Sequence, residues 1–228
     1  MFETKSGILL IAGLGFFGLA FLSNGVVPVL MFRELPEKSA QEMVNRHVVA
    51  QFRDLSERYG PSFQEHFGEL NAGNETAKVA DALLLGRKTY VAEGCWHCHS
   101  QFVRPVSNEQ PRWGPVSETW EYQNELQRPV LFGTRRVGPD LSREGARRSN
   151  DWHAVHFFDP RMTSPQSVMP SYPWFFDPDP DEDNRRSPRR PNRRGLALIT
   201  YMQWLGSWLP THPYYNDDSI LTLVEKKP

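Results

Sequence analysis

Cysteine occurs only at positions 95 and 98 of this 228-residue chain, in the run Cys95-Trp96-His97-Cys98-His99. Two thiols three positions apart can each add to one vinyl group of the same porphyrin, and the histidine that follows is delivered to the iron as an axial ligand. C-x-x-C-H is therefore the attachment signature of a c-type haem. The same residues have two other chemistries. A structural zinc site would require two further ligands, here histidines such as His153 and His156, whereas closed zinc sites usually repeat the C-x-x-C pair. A redox-active dithiol would need a βαβ setting that the flanking sequence lacks. Haem attachment gives both thiols and His99 a role and leaves His97 as a spacer.

Haem iron takes a sixth ligand, for which the downstream chain offers Met162, Met169, Met202, His153, His156 and His212. Met169 is the choice. It stands in Val168-Met169-Pro170-Ser171-Tyr172-Pro173-Trp174, where prolines hold the backbone extended and bring a thioether to the iron from a loop of fixed course. Arg104, Arg135 and Arg136 are candidate partners of the haem propionates, because guanidinium forks match carboxylates. Trp113, Tyr122 and Trp152 are expected to pack against the ring.

These residues need elements to carry them. A helix from about Glu75 to Glu93 would present the cysteines, with Val79, Leu83, Leu84, Arg87 and Tyr90 near one face. An earlier amphipathic helix is expected over 39–59, where Met43, Val44, His47, Val48, Phe52 and Leu55 share a face, and Gly60-Pro61 should end it. After the cysteines, Pro105, Pro111, Pro115 and Pro129 point to loops wrapped around a haem, with few strands. Asp177-Pro-Asp-Pro-Asp-Glu-Asp183 followed by Arg185-Arg-Ser-Pro-Arg-Arg-Pro-Asn-Arg-Arg194 cannot bury a core and reads as a solvated loop.

At the N-terminus, residues 7–32 carry no charge between Lys5 and Arg33. That length exceeds the roughly 20 helical residues needed to cross a bilayer. A cleaved signal peptide would have a shorter apolar core and an A-x-A-like site, which does not follow Leu22. An uncleaved anchor is expected. Lys5 and the amino terminus on one side against Arg33 and Lys38 on the other leave orientation undecided by charge. Thiol capture outside the cytoplasm places the C-x-x-C-H domain on the periplasmic side. Lys+Arg 26 against Asp+Glu 27 gives no basic surplus, and nothing suggests binding to nucleic acid.

The residues carry a resemblance that runs well past the haem motif. The stretch from Leu85-Gly86-Arg87 through Cys95-Trp-His-Cys98-His99-Ser100-Gln101-Phe-Val-Arg104-Pro105 resembles the mono-haem cytochrome c subunit of cbb(3)-type cytochrome c oxidases. The likeness continues through Gly133-Thr-Arg135-Arg136-Val-Gly138-Pro139-Asp140-Leu141, Asn150-Asp151-Trp152-His153-Ala-Val-His156 and Asp159-Pro160-Arg161. Met169-Pro170-Ser-Tyr172-Pro173-Trp174 and Tyr201-Met-Gln203-Trp-Leu205-Gly206 complete it.

The resemblance implies a mainly α chain, with one N-terminal transmembrane helix followed by a class I cytochrome c-like haem domain with long loops. The expected division is an anchor at 1–35, a helical connector at 36–82 and the mono-haem domain at 83–228; two stretches depart from the family, 39–82 by being longer than the short connector it would have and 177–194 by reading as an insertion. The resemblance also implies one covalent haem c on Cys95 and Cys98, axial ligands His99 and Met169, and Pro139 beside His99 with its carbonyl orienting the imidazole. Ser100 and Gln101 are expected to face the core subunit. The implied partners are a haem-copper oxidase core subunit, a further c-type cytochrome subunit, an electron-donor cytochrome and the lipid of a bacterial inner membrane. A calcium ion at the interface with the core is allowed by the family, although the chain shows no oxygen-rich loop of its own. The chain is expected to move electrons without catalysis of its own. The cytochrome c subunit of a nitric oxide reductase and a free-standing membrane-tethered electron carrier are the alternatives. Ser100-Gln101-x-x-Arg104-Pro105 favours the oxygen reductase.

Overall fold

The computed structural model describes residues 4–33, 37–177 and 190–210. The chain divides into two compact units, Met1–Glu37 and Lys38–Pro228.

The first unit is a helix. α1 (Lys5–Phe21) starts at Thr4, whose side chain accepts from the Gly7 N–H, and continues through a π turn (Leu22–Val26) into α2 (Val27–Phe32). Pro28 supplies no amide hydrogen and would crowd the carbonyl four residues back, at Asn24. The wider π turn accommodates this, and the Asn24 amide donates to the Ala20 carbonyl at 3.0 Å. Lys5–Phe32 makes 28 residues of apolar helix, about 42 Å at 1.5 Å per residue, against about 30 Å of hydrocarbon core. The helix is long and apolar enough to cross a membrane.

The second unit is built on three helices. In α3 (Arg46–Phe67) the Asn45 side chain caps the N-terminus by accepting from the Val48 N–H. Residues 39–45 are turns or irregular, so the helix begins later than its apolar spacing suggested. Nor does it end at Gly60-Pro61. Gly60 takes φ 42° and ψ −112°, a kink rather than a stop, and the helix resumes to Phe67. Glycine tolerates that backbone, and proline needs no amide hydrogen at the first position of the resumed turn. Phe63 and Phe67, beyond the kink, pack against Phe52 with ring centroids 4.9 and 5.3 Å away, which holds the second half in place.

α4 (Glu75–Ala92) matches the expected helix, and α8 (Arg193–Trp204) packs across it with every residue from Gly195 to Trp204 buried. Their closest approach is at Gly86, where a β-carbon would fall 2.2 Å from the Ala197 carbonyl oxygen. Val79, Leu83 and Tyr90 are buried on the inner face, whereas Leu84 is exposed. α3 also packs on α8, and the expected border between connector and haem domain, at 82/83, falls inside α4. The 39–82 segment is thus built into the core that also buries Leu198, Tyr201 and Trp204.

Short helices and loops fill the rest: α5 (Cys95–Cys98), α6 (Glu109–Trp113), α7 (Asn150–Phe158) and 3₁₀ turns. Among the described residues there is no strand, only isolated bridges at Lys38–Asn124 and Phe176–Pro191. Residues 178–189 of the charged tract, and with them most of the expected loop, lie outside the described residues. Its C-terminal end is not loop. Asn192 caps α8 by accepting from the Arg194 and Gly195 N–H groups, Arg193 and Arg194 are helical, and Arg194 pairs with Glu93.

Candidate haem site

The cysteine turn is set by glycine. α4 ends at Ala92, Gly94 adopts φ 69°, and Cys95–Cys98 forms one helical turn that His99 leaves in an extended conformation. The two thiols are not joined in a disulfide. Cys95 packs against the hydrophobic core and burial pushes its thiol up to about 12, with the Tyr172 hydroxyl in hydrogen-bond contact.

The carbonyl of His97 gathers the chain that follows: it accepts from the backbone N–H groups of Thr134, Arg135 and Arg136 at 3.2, 2.8 and 3.2 Å. His97 is more than a spacer, since its Nδ1 also lies 2.9 Å from Thr134 Oγ1. The Gly138 N–H donates to the Cys98 carbonyl at 3.1 Å. These bonds lay 133–139 over the cysteine turn and bring Pro139 to His99.

His99 Nδ1 donates to the Pro139 carbonyl at 3.0 Å. A carbonyl can only accept, so the proton sits on Nδ1 and Nε2 is left as a lone pair. Burial is the main reason the imidazole is harder to protonate than usual, while the Pro139 carbonyl and the Asp140 carboxylate pull the other way. The carbonyl of His99 itself accepts from Tyr90 Oη at 2.6 Å, tying the extended residue to α4. A neutral imidazole oriented from behind by an oxygen acceptor is the form in which histidine binds a metal. The residues present fit a haem in this respect.

Ser100 and Gln101 do not face a partner. Each is 1% exposed. Ser100 Oγ donates to Asp140 Oδ2 at 2.6 Å, and Gln101 Oε1 accepts from Tyr201 Oη of α8 at 2.9 Å. The two residues following the haem histidine turn inward and fasten the site to the α4/α8 frame.

The arginines separate. Arg136, with φ 50°, is held by a fork to both carboxylate oxygens of Glu109 and by a bond from Nε to Ser100 Oγ at 2.9 Å. Three of the five N–H donors of that guanidinium are thereby engaged by protein oxygens, which ties Arg136 to the loop ahead of Pro139. Arg104 donates to the Phe132 carbonyl at 3.1 Å, and its own N–H donates to Glu109 Oε2 at 2.8 Å. Arg135 is exposed.

The expected ring-packing aromatics serve other contacts. Trp113 lies under Arg112, with 4.5 Å from guanidinium to ring centroid. Tyr122 is buried beside Phe102, its hydroxyl donating to the Gln101 carbonyl at 2.7 Å. Trp152 stacks on His156.

Met169 is half-buried and packs against the same core as Cys95 and Trp96. Its segment is tied down by Arg161, which donates to the Met169 carbonyl and to Ser171 Oγ at 3.3 and 2.8 Å, and by Tyr172, whose N–H donates to the Phe157 carbonyl at 2.9 Å. Of the other sixth-ligand candidates, Met202 and His153 are each 2% exposed in the interior, Met162 is 66% exposed, and His212 lies outside the described residues. Tyr90, Glu109 and Asp140 contribute to the site without having been singled out. Asp140, within G-P-D-L, and Tyr90, on one face of the expected 75–93 helix, carried a sequence signal, and Glu109 carried none.

An all-helical unit closed by crossed helices, with a histidine held in this way behind a C-x-x-C-H turn, defines a cytochrome c-like domain. The family described as "Cytochrome C oxidase, mono-heme subunit/FixO" matches residues 72–193, more than half of the chain, and the chain belongs to that family. Its members are mono-haem subunits of a cytochrome c oxidase, and the N-terminal helix agrees with membrane association. No curated protein matches the chain.

Proposed function

We propose that the chain is the membrane-anchored electron-transfer subunit of a cbb(3)-type haem-copper oxidase, carrying one haem c through thioethers at Cys95 and Cys98. The observation that carries this reading is the His99 Nδ1 to Pro139 carbonyl bond directly behind the C-x-x-C-H turn. When bound, the haem supplies a one-electron couple that changes no bond in a substrate.

The chain's own residues do the rest. Pro139 fixes the His99 tautomer and would raise its basicity toward an iron. Met169 would hold the iron on the other side from His99, and a thioether there would favour the reduced state relative to a second imidazole. Arg104, Arg135 and Arg136 would be the propionate partners, and the Arg136–Glu109 pair also holds the loop that carries Pro139. The helix at Lys5–Phe32 anchors the subunit in the inner membrane, with the haem domain on the periplasmic side. There it takes electrons from a donor cytochrome or a further c-type subunit and passes them to a core that reduces oxygen to water. Any calcium at that interface would draw its ligands mainly from the core, because among the described residues no group of three or more His, Cys, Asp or Glu is placed to hold a metal.

Purification in mild detergent tests the reading. The expected result is a pyridine haemochrome spectrum of haem c, co-purification with a core containing haem b and copper, and oxygen consumption. Nitric oxide reduction in place of oxygen consumption would assign the chain to a nitric oxide reductase. Haem c without stable partners would make it a free-standing carrier, and absence of covalent haem would refute it.

A further inference from the structure

A second pairing runs beside the His99–Pro139 bond. The backbone N–H groups of Gly138 and Leu141 donate to the carbonyls of Cys98 and Ser100 at 3.1 and 2.9 Å. Residues 98–100 and 138–141 therefore lie side by side, His99 against Pro139 and Ser100 against Asp140. Asp140 is 4% exposed, and both of its side-chain oxygens accept. Oδ1 takes the Ser142 N–H at 2.8 Å, while Oδ2 takes the Phe102 N–H at 2.9 Å and the Ser100 hydroxyl at 2.6 Å. Ser100 Oγ in turn accepts from Arg136 Nε at 2.9 Å, which leaves its own proton for Asp140. Acceptance at both oxygens is the behaviour of a carboxylate.

The charges around this group do not cancel. Arg136 reaches Asp140 through Ser100 and gives its two terminal nitrogens to Glu109, so the cluster holds two carboxylates and one guanidinium. Arg143 is balanced by Glu121. Arg104 is half-buried and donates to the Phe132 carbonyl in an exposed contact, where solvent screens its charge. One negative charge is left over in the interior, and it stands on the residue bonded to the carbonyl group that orients His99.

We propose that Asp140 sets the haem potential: its buried carboxylate, on the residue next to the Pro139 carbonyl, holds the iron toward the ferric state. Reduction brings one electron from the donor cytochrome to the iron. Counted over iron, porphyrin ring and two neutral axial ligands, the centre goes from one positive charge to none. A fixed negative charge in the interior stabilises the charged, ferric side, and it does so more than a surface charge because less solvent screens it. Asp140 thereby opposes the upward pull of a Met169 thioether and makes the subunit a stronger electron donor to the core. The inference rests on the haem reading of His99 and moves no proton.

The test is a redox titration of haem c in the purified complex, followed by absorbance, with the ferric spectrum recorded on each sample. Asp140→Asn keeps the shape of the side chain. With its oxygen toward Phe102 and Ser100 it retains their two bonds and loses the one from Ser142. Its midpoint should rise, so that at the wild-type midpoint more than half of the haem is ferrous, while the ferric spectrum stays that of the wild type. Arg136→Gln breaks into the same chain of bonds but removes the opposite charge, and its midpoint should fall. A merely structural role for the chain would move both variants in one direction. An unchanged or lower midpoint in Asp140→Asn with the ferric spectrum retained, or shifts of equal sign in the two variants, would overturn the proposal. If Asp140→Asn fails to fold, Arg136→Gln decides, and a midpoint that does not fall overturns it. Absence of covalent haem from the wild-type complex would overturn the haem reading and this inference with it, whereas a normal wild-type haem whose midpoint ignores Asp140→Asn would overturn the inference alone.

Discussion

Gly138 lies flat against the imidazole of His99: a β-carbon at Gly138 would fall 2.2 Å from Cε1 and 2.5 Å from Nδ1 of that ring. The contact joins the residue before Pro139 to the side chain that Pro139 orients, so the ring is held at its edge and at its nitrogen by consecutive residues. Gly138→Ala must displace either the ring or the 134–139 segment. Overpacking of this kind costs about 1–3 kcal/mol. The expected outcome is a lower melting temperature, with covalent haem retained and the ferric spectrum shifted away from that of the wild-type axial pair. Thermal unfolding and absorbance on the same sample check both.

The Glu109–Arg136 fork locks the loop that delivers Pro139. The Arg136 guanidinium is the main reason the Glu109 carboxyl lies below its ordinary range. A carboxylate depressed in the folded state contributes stability that is complete above its unfolded value of about 4.3 and is lost as the pH falls through the lower folded value. Glu109→Gln should therefore destabilise at pH 7, by about 1–3 kcal/mol for a charged hydrogen-bonded pair, and the difference from wild type should shrink in acid. Urea melts at pH 7 and at pH 3.5 measure it, and an equal gap at both would contradict this account.

The layout of the candidate site was legible where it is written in adjacent residues. Cys95 and Cys98 share one turn by their spacing alone, with His99 directly after it, and α4 could be read from the period of Val79, Leu83 and Tyr90. What escaped was decided by long-range packing. Ser100 and Gln101 look like surface residues in a polar motif, but Asp140 and Tyr201, 40 and 100 positions further on, bury them. The pairing of Arg136 with Glu109 escaped too, because nothing in the sequence near Glu109 marks Arg136 as its partner. Gly60-Pro61 ordinarily stops a helix, yet Phe63 and Phe67 find Phe52 to pack on, and tertiary burial outweighs the local break.

The α4/α8 crossing is the frame to which these contacts are fastened, and Gly86 is its narrowest point. A β-carbon there would lie 2.2 Å from a carbonyl oxygen and 2.6 Å from Tyr201 Cβ, neither of which can rotate away. Gly86→Ala should push the helices apart and loosen the Tyr201 bond to Gln101. An expected loss of about 1–3 kcal/mol should appear as a lower melting temperature, and Gly86→Val should lose more. An unchanged melting temperature in the alanine variant would show that the helices can separate at no cost.

Below the site, Arg143 and Glu121 form an ion pair with side chains only 3% and 4% exposed, joined by bonds of 2.9 Å from each terminal nitrogen. Burial pushes the Glu121 carboxyl up, and Arg143 is the main influence pulling it back. Arg143→Met strands a carboxylate in the interior, which costs about 3–5 kcal/mol. Without its partner Glu121 moves further up, and an acid raised in the folded state makes folding more favourable as pH falls through that raised value toward the unfolded one of about 4.3. The deficit of Arg143→Met relative to wild type should therefore be largest at pH 7 and smaller near pH 5. Arg143→Met with Glu121→Leu removes both charges, and because apolar replacements of a buried pair are often neutral or stabilising, the double variant should recover most of the loss. Denaturant melts of the two variants at both pH values decide it: a double variant no more stable than the single one would mean that the arginine's bond to the Pro115 carbonyl, and not its charge, is what the fold requires.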